Sequence, residues 1–246
     1  MGRMHDLVSV DWLAEHHDAG DLVVVDASMA PPGSEEPLPA DGIPGAVRFD
    51  IEGAMSRRDE TDGLGPVGVH DVLSPDDFER ALRALGIRTG DRVVAYDAAG
   101  MFSSARAWWM LRAAGIDDAV LDGGLPAWVA AGHPSPRSRR PCLESATSRW
   151  RGMPRRSSMP GHMPGARSLH YAAVAPSGRM LALDELVARL RDAAGDRPVI
   201  ASCGSGVTAA VLALAATLTG RPAAVYDGSW SGWGRDDSGR PAVTGD

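Results

Sequence analysis

The chain has 246 residues, an apolar fraction of 44% and a charged fraction of 23%, the profile of a soluble globular protein with room for one large domain or two small ones. A net charge of −7 disfavours a nucleic-acid partner. Two cysteines, Cys142 and Cys203, make neither a disulfide framework nor a Cys-rich zinc site, and no apolar run approaches the ~20 residues needed to span a bilayer. The N-terminal MGRMHDLVSVDW lacks the long apolar core of a signal peptide, so a reducing cytoplasm is the expected setting, one that keeps a working thiol reduced.

In chain order, LVVVDA (22–27) and VVAYD (93–97) are β-branched apolar runs of strand length. Between them, SPDDFERALRALGI (74–87) opens on a serine cap and carries helical apolar spacing. RAWWMLRAAG (106–115) predicts a helix that stops at glycine. HPSPRSRRPCLESATS (133–148) is rich in Pro, Ser and Arg and predicts a linker. The arginines clustered between Arg137 and Arg167 suit either a solvated linker or an anion site. Beyond them, LDELVARLRDAAG (183–195) predicts a helix and PVIASC (198–203) a buried strand. TAAVLALAATLTG (208–220) predicts a helix so apolar that it must be packed on most sides. Strand and helix alternate, which argues for α/β units with a mainly parallel sheet.

The chain repeats itself. VVAYDAAGMFSSARAWWMLRAAG (93–115) matches VIASCGSGVTAAVLALAATLTG (199–220), VLDGGLPAWVAAG (120–132) matches VYDGSWSGWGRDD (225–237), and GIPGAVRFD (42–50) matches HMPGARSLH (162–170). Three matched blocks in one order predict a tandem duplication. Asp97 and Cys203 occupy the same place in their loops. The expected division is a first domain over 1–134, a linker over 135–148 and a shortened second domain over 149–246.

The loop Cys203-Gly204-Ser205-Gly206-Val207-Thr208 lies between a predicted buried strand and a predicted helix. Ligands of open α/β sheets bind at the carboxyl ends of strands. Glycines let backbone N–H groups turn inward as an anion cradle, and the helix adds its positive N-terminal end. A cysteine there is stabilised as the thiolate, the reactive form.

This loop resembles that of the two-domain rhodanese family, in its 3-mercaptopyruvate sulfurtransferase branch, and the blocks GIPGAVRFD, YD-x8-RAWWMLRAAG, LDGGLPAW and YDGSWSGWG resemble the same family along nearly the whole chain. The resemblance implies an α/β fold of tandem rhodanese-like domains with chemistry in the second only, which fits Asp97 standing where the first loop would need its cysteine. It implies a transferase that moves sulfur from 3-mercaptopyruvate through a Cys203 persulfide to a thiol, cyanide, thioredoxin or sulfur-carrier protein, with no metal or organic cofactor and no membrane partner. It assigns Ser205, His70 and Glu52 to a proton relay, Glu52 standing where the family usually has Asp. It assigns Arg149, and Arg156 rather than Arg155, to a substrate-carboxylate clamp, and Gly204, Gly206, Val207 and Thr208 to the binding loop. Bidentate arginine suits a carboxylate. After Gly132 the chain lacks the helix and opening strand with which the family begins its second domain, and CLESA (142–146) stands as a shortened remnant of that strand.

Three other readings bear on the same residues. A thiosulfate sulfurtransferase would favour basic residues in the loop, which is neutral here. A Cys-dependent phosphatase would want an arginine six residues after the cysteine, where Ala209 stands. A persulfide carrier without turnover fits the shortened second domain.

Overall fold

The computed structural model describes residues 3–31, 34, 38–57, 69–136 and 160–244. Cys142, the CLESA segment, Arg149, Arg155 and Arg156 lie outside the described residues.

The first unit contains β1 (Leu7–Val8), α1 (Val10–His16), β2 (Leu22–Asp26), β3 (Val47–Arg48), α2 (Pro75–Ala84), β4 (Arg92–Tyr96), α3 (Ser104–Ala113), β5 (Asp117–Leu121) and α4 (Gly124–Ala130). Among the described residues its five strands are all parallel, in the order β1-β5-β4-β2-β3. Both faces are covered, as a parallel sheet requires. Val93 and Ala95 of β4 point into a core shared with Phe78 and Leu82 of α2 and Met110 and Leu111 of α3. Val94 and Tyr96 point the other way, onto Leu13 of α1 and Trp128 of α4.

Local chemistry explains the element ends. Ser74 accepts the Asp77 N–H at 3.3 Å and α2 begins at Pro75, a preformed first turn with acids beside the dipole's positive end. The expected strand over 198–203 stops at Ala201, which leaves Cys203 beyond the sheet. The expected helix at 106 begins two residues earlier, at Ser104. Its donors are met from upstream: Asp97 accepts the N–H groups of Ser103 (2.9 Å) and Ser104 (2.7 Å) on one oxygen and of Ala99 (2.8 Å) on the other.

The second unit contains α5 (Leu183–Ala194), β6 (Val199–Ala201), α6 (Ala209–Leu218), β7 (Ala223–Val225) and a short α7 (Ser229–Trp233). Among the described residues its sheet is the parallel pair β6-β7. The duplicated blocks occupy equivalent places, β4-α3-β5-α4 against β6-α6-β7-α7. The carbonyl of Asp97 accepts the Leu125 N–H at 3.0 Å, and that of Cys203 accepts the Trp230 N–H at 3.0 Å.

Helices α3 and α6 pack on each other and form the seam between the units. Met101, Ala105 and Trp108 on one side meet Ala210, Val211, Leu214 and Ala215 on the other. That contact, added to β6, β7 and α5, is why α6 is apolar nearly all round. The seam has an approximate two-fold symmetry: Asp122 of the first unit accepts the Met180 N–H of the second at 2.9 Å, and Asp227 of the second accepts the Val72 N–H of the first at 2.9 Å.

Candidate active site

Cys203 sits just past β6, partly exposed, with a free thiol. Its Sγ accepts the Gly206 N–H at 3.2 Å. Burial pushes the thiol toward its neutral form. Hydrogen bonds from the Thr208 hydroxyl and from the N–H groups of Ala209, Ser205 and Gly206 outweigh that and hold its pKa below the usual value. Thr208 and Ala209 lie at the N-terminus of the ten-residue α6, where unsatisfied donors and the helix dipole favour an anion. They therefore serve the thiolate through their position at the helix start.

Gly206 has a φ of +82°, and a Cβ there would fall 2.6 Å from the Asp227 carbonyl, so no other residue fits. Gly204 is exposed and open. The Val207 side chain is buried in the core of the first unit, which leaves its backbone for the loop. The Cys203 N–H is held by the Ser229 hydroxyl at 3.2 Å. Ser229 is fully buried at a φ of 45°, a left-handed conformation that costs a non-glycine residue about 1–2 kcal/mol. Its Oγ also donates to the Tyr226 carbonyl at 2.9 Å, so the strain is sustained by two hydrogen bonds, one of which holds the Cys203 backbone.

His70 reaches this loop from the first unit and is buried. Burial and the Arg106 charge bring its pKa down to about 4, against a hydrogen bond with the Ser205 backbone and the Asp227 charge, which act the other way. At neutral pH the imidazole is uncharged. The segment carrying it is braced by an antiparallel bridge between Ser56 and Val72 and by the Arg57 N–H on the Asp71 carbonyl at 2.8 Å. Glu52 lies half-buried in the turn after β3. Its carboxyl is raised by burial and by Asp50, and lowered by Arg48.

Thus Cys203, Ser205, Gly206, Thr208 and His70 come together, and Glu52 shares its electrostatic neighbourhood with Asp50 and Arg48. The charged groups that bear on His70 are Arg106 and Asp227. Sequence reading gave neither of them, nor Ser229, a role in the site. One signal was available: Arg106 is a charge in an otherwise apolar stretch, RAWWML.

The equivalent loop of the first unit has the same cradle with a carboxylate in it. Asp97 is 1% exposed, and Gly178 covers its loop so closely that a Cβ on Gly100 would lie 2.8 Å from the Gly178 Cα. One cradle is filled and closed, and the other presents a thiol.

A strand, an anion-cradling loop bearing a cysteine, and a helix, set in one of two related α/β units, make a site that favours a thiolate, and the comparisons give the family that carries it. The rhodanese-like domain family matches residues 9–131 and 153–236, the second match being the shorter. The chain belongs to the rhodanese family and is a transferase of its sulfurtransferase class. It is similar to 3-mercaptopyruvate sulfurtransferase of Escherichia coli K12, 36% identical over 271 residues that cover 92% of this chain and 94% of that one. Thiosulfate sulfurtransferase of Gallus gallus is 32% identical over 274 residues, covering 92% of each chain. The crystal structure of SseA from Escherichia coli superposes with a TM-score of 0.75 at 32% identity, over 93% of this chain and 100% of that one. Among the described residues no helix is long and apolar enough to cross a membrane.

Proposed function

We propose that the chain takes sulfur from 3-mercaptopyruvate onto Cys203 and passes it to a thiol, cyanide, thioredoxin or sulfur-carrier acceptor, releasing pyruvate. The observation that carries this is the cradle of N–H groups and the Thr208 hydroxyl around Sγ, which favours an anionic sulfur on Cys203. The thiolate attacks the donor's sulfur, an S–S bond forms, and the C–S bond breaks with its electron pair left on carbon as the pyruvate enolate. The proton lost from the donor's S–H equals the one the carbon gains, so a relay need only move it. Ser205, His70 and Glu52 are the proposed carriers. His70 is uncharged at neutral pH and a weak base at a pKa of about 4, so it would hold that proton only in passing. An acceptor thiolate then attacks the outer sulfur and restores the Cys203 thiolate.

Mercaptopyruvate is favoured over thiosulfate because Gly204, Ser205, Gly206 and Val207 put no cation in the loop for a compact dianion. Arg149 and Arg156 are the proposed carboxylate clamp, on the family resemblance. The relative from Gallus gallus keeps thiosulfate in view as the second donor. Intact mass after incubation with each donor tests the reading. One added sulfur on the wild-type chain and none on Cys203→Ser is expected, with mercaptopyruvate better by at least about tenfold in kcat/KM. Sulfur loading of Cys203→Ser, or equal use of thiosulfate, refutes the nucleophile or the donor respectively.

A further inference from the structure

Arg106 projects from α3 of the first unit and is fully buried. A buried guanidinium is tolerated only when paired and hydrogen-bonded. Its Nη2 donates to the His70 carbonyl at 2.5 Å and lies 2.5 Å from Asp227 Oδ1, while Nη1 reaches the Gly206 carbonyl at 3.5 Å. The guanidinium lies 4.6 Å from the Trp109 ring centroid. These acceptors are the backbone of the histidine that enters from one unit, the backbone of the cradle in the other, and the carboxylate that also binds the Val72 N–H. One fork thus spans the seam at the reactive loop.

The duplication supplies the control. Asp122 matches Asp227 and accepts the Met180 N–H, but, counted from the helix starts at Ser104 and Ala209, the position matching Arg106 is Val211, which packs in the apolar seam. Arg106 therefore has no counterpart on α6; on that side Arg179, beside Met180, lies against Gly123 instead. Among the described residues, an arginine projecting from the helix after the loop stands on the side where a thiol replaces a carboxylate.

We propose that Arg106, paired with Asp227, is a positioning residue for sulfur transfer, setting Gly206 and His70 around the Cys203 thiolate. The proposal rests on the reading of Cys203 as nucleophile. Gly206 donates its N–H to Sγ while its carbonyl faces Arg106, so releasing the fork frees a residue of the cradle itself. The charged groups facing His70 are Arg106 from α3 and Asp227 from the segment after β7. Asp71 adjoins His70 in sequence, with Arg57 bonded to its carbonyl. Arg106 and Asp227 pull His70 in opposite directions, and this separates positioning from mere stabilisation.

The test uses Arg106→Met, Arg106→Lys and Asp227→Asn in the full chain. Three readouts are needed: kcat and KM with mercaptopyruvate, the pH profile of Cys203 alkylation followed on its own peptide, and the His70 NMR titration. In Arg106→Met, kcat should fall about a hundredfold with less change in KM, a loss of ~2.7 kcal/mol in transition-state stabilisation. The alkylation profile should move to higher pH. The His70 midpoint should rise in Arg106→Met and fall in Asp227→Asn. Arg106→Lys keeps the charge but lacks the fork, so it should restore the His70 midpoint and less than about a tenth of the lost kcat. If Arg106→Met does not fold, Arg106→Lys and Asp227→Asn carry the same comparison. A wild-type alkylation profile and kcat within about threefold in folded variants would overturn the proposal. So would His70 midpoints that move together. Alkylation needs no sulfur donor, so it can overturn the positioning role while the nucleophile stands, whereas turnover by Cys203→Ser would overturn the nucleophile and the proposal with it.

Discussion

The Cys203 thiol is held below its usual pKa by its neighbours' hydrogen atoms rather than by nearby cations. Burial alone would make its thiol a poorer acid, and four donors reverse the sign. Thr208 supplies the one side-chain donor among them, which makes it separable from the fold. Thr208→Val keeps the shape and removes the hydroxyl. A hydrogen bond to a charged group contributes about 1.5–3 kcal/mol, so in this variant the pH midpoint of Cys203 alkylation should rise by about one unit or more. An unmoved profile would assign the thiolate to the backbone alone. Cys203→Ser should abolish persulfide formation, whereas Cys142→Ser should retain it. Peptide-level mass spectrometry after donor treatment distinguishes the two.

The two strand-loop-helix elements are one design with different contents. In the first, Asp97 satisfies the start of α3 and Gly178 closes over the loop. In the second, Cys203 lies under donors equivalent in position, and His70 stands beside the loop. Asp97→Cys would therefore place a thiol in a cradle that solvent and donor do not reach. In the folded variant the introduced thiol should alkylate at least about a hundredfold more slowly than Cys203, because its modification needs local opening of the loop. Comparable rates would mean the first loop is open. Removing the carboxylate also uncaps α3, and a stability loss of about 1–2 kcal/mol in urea should accompany the change. The element pattern itself was legible from sequence because it is local: β-branched runs, the Ser74 cap and the glycine stops act within a few residues. The start of α3 was misplaced because its cap comes from Asp97, seven residues upstream. Cys203, Ser205 and Thr208 were legible because one loop carries them. Arg106 and Asp227 were not, because they meet only when residues 121 positions apart are brought to the seam.

At the scale of the whole molecule, the Cys203 loop and the histidine beside it belong to different units, so their contact and the docking of α3 on α6 are coupled. His70 makes that coupling dependent on pH. Its folded pKa is about 4 against an ordinary 6.5, so between these values the unfolded chain binds the proton that the folded chain refuses. Stability then rises with pH across that window and is lost as pH falls from 6.5 to 4, by up to about 3 kcal/mol. Asp118 works in the opposite direction. Burial raises its carboxyl to about 6 against the attraction of Arg112 and Arg3, so its folded form gains a proton first and its contribution grows as pH falls toward 4. The two windows overlap and partly cancel, so a difference between two proteins is the informative quantity. His70→Asn shares Asp118 with the wild type and lacks the imidazole. The stability difference between the two, measured by urea unfolding at about pH 4.5 and pH 7.5, should change by about 2 kcal/mol or more, the wild type losing more at low pH. Because His70 touches the loop at the seam, the same acid shift should slow Cys203 alkylation in the wild type beyond what thiol protonation accounts for, and His70→Asn should lack that extra loss. Parallel stability profiles for the two proteins would show that His70 titrates as an exposed residue, and would remove it from the seam.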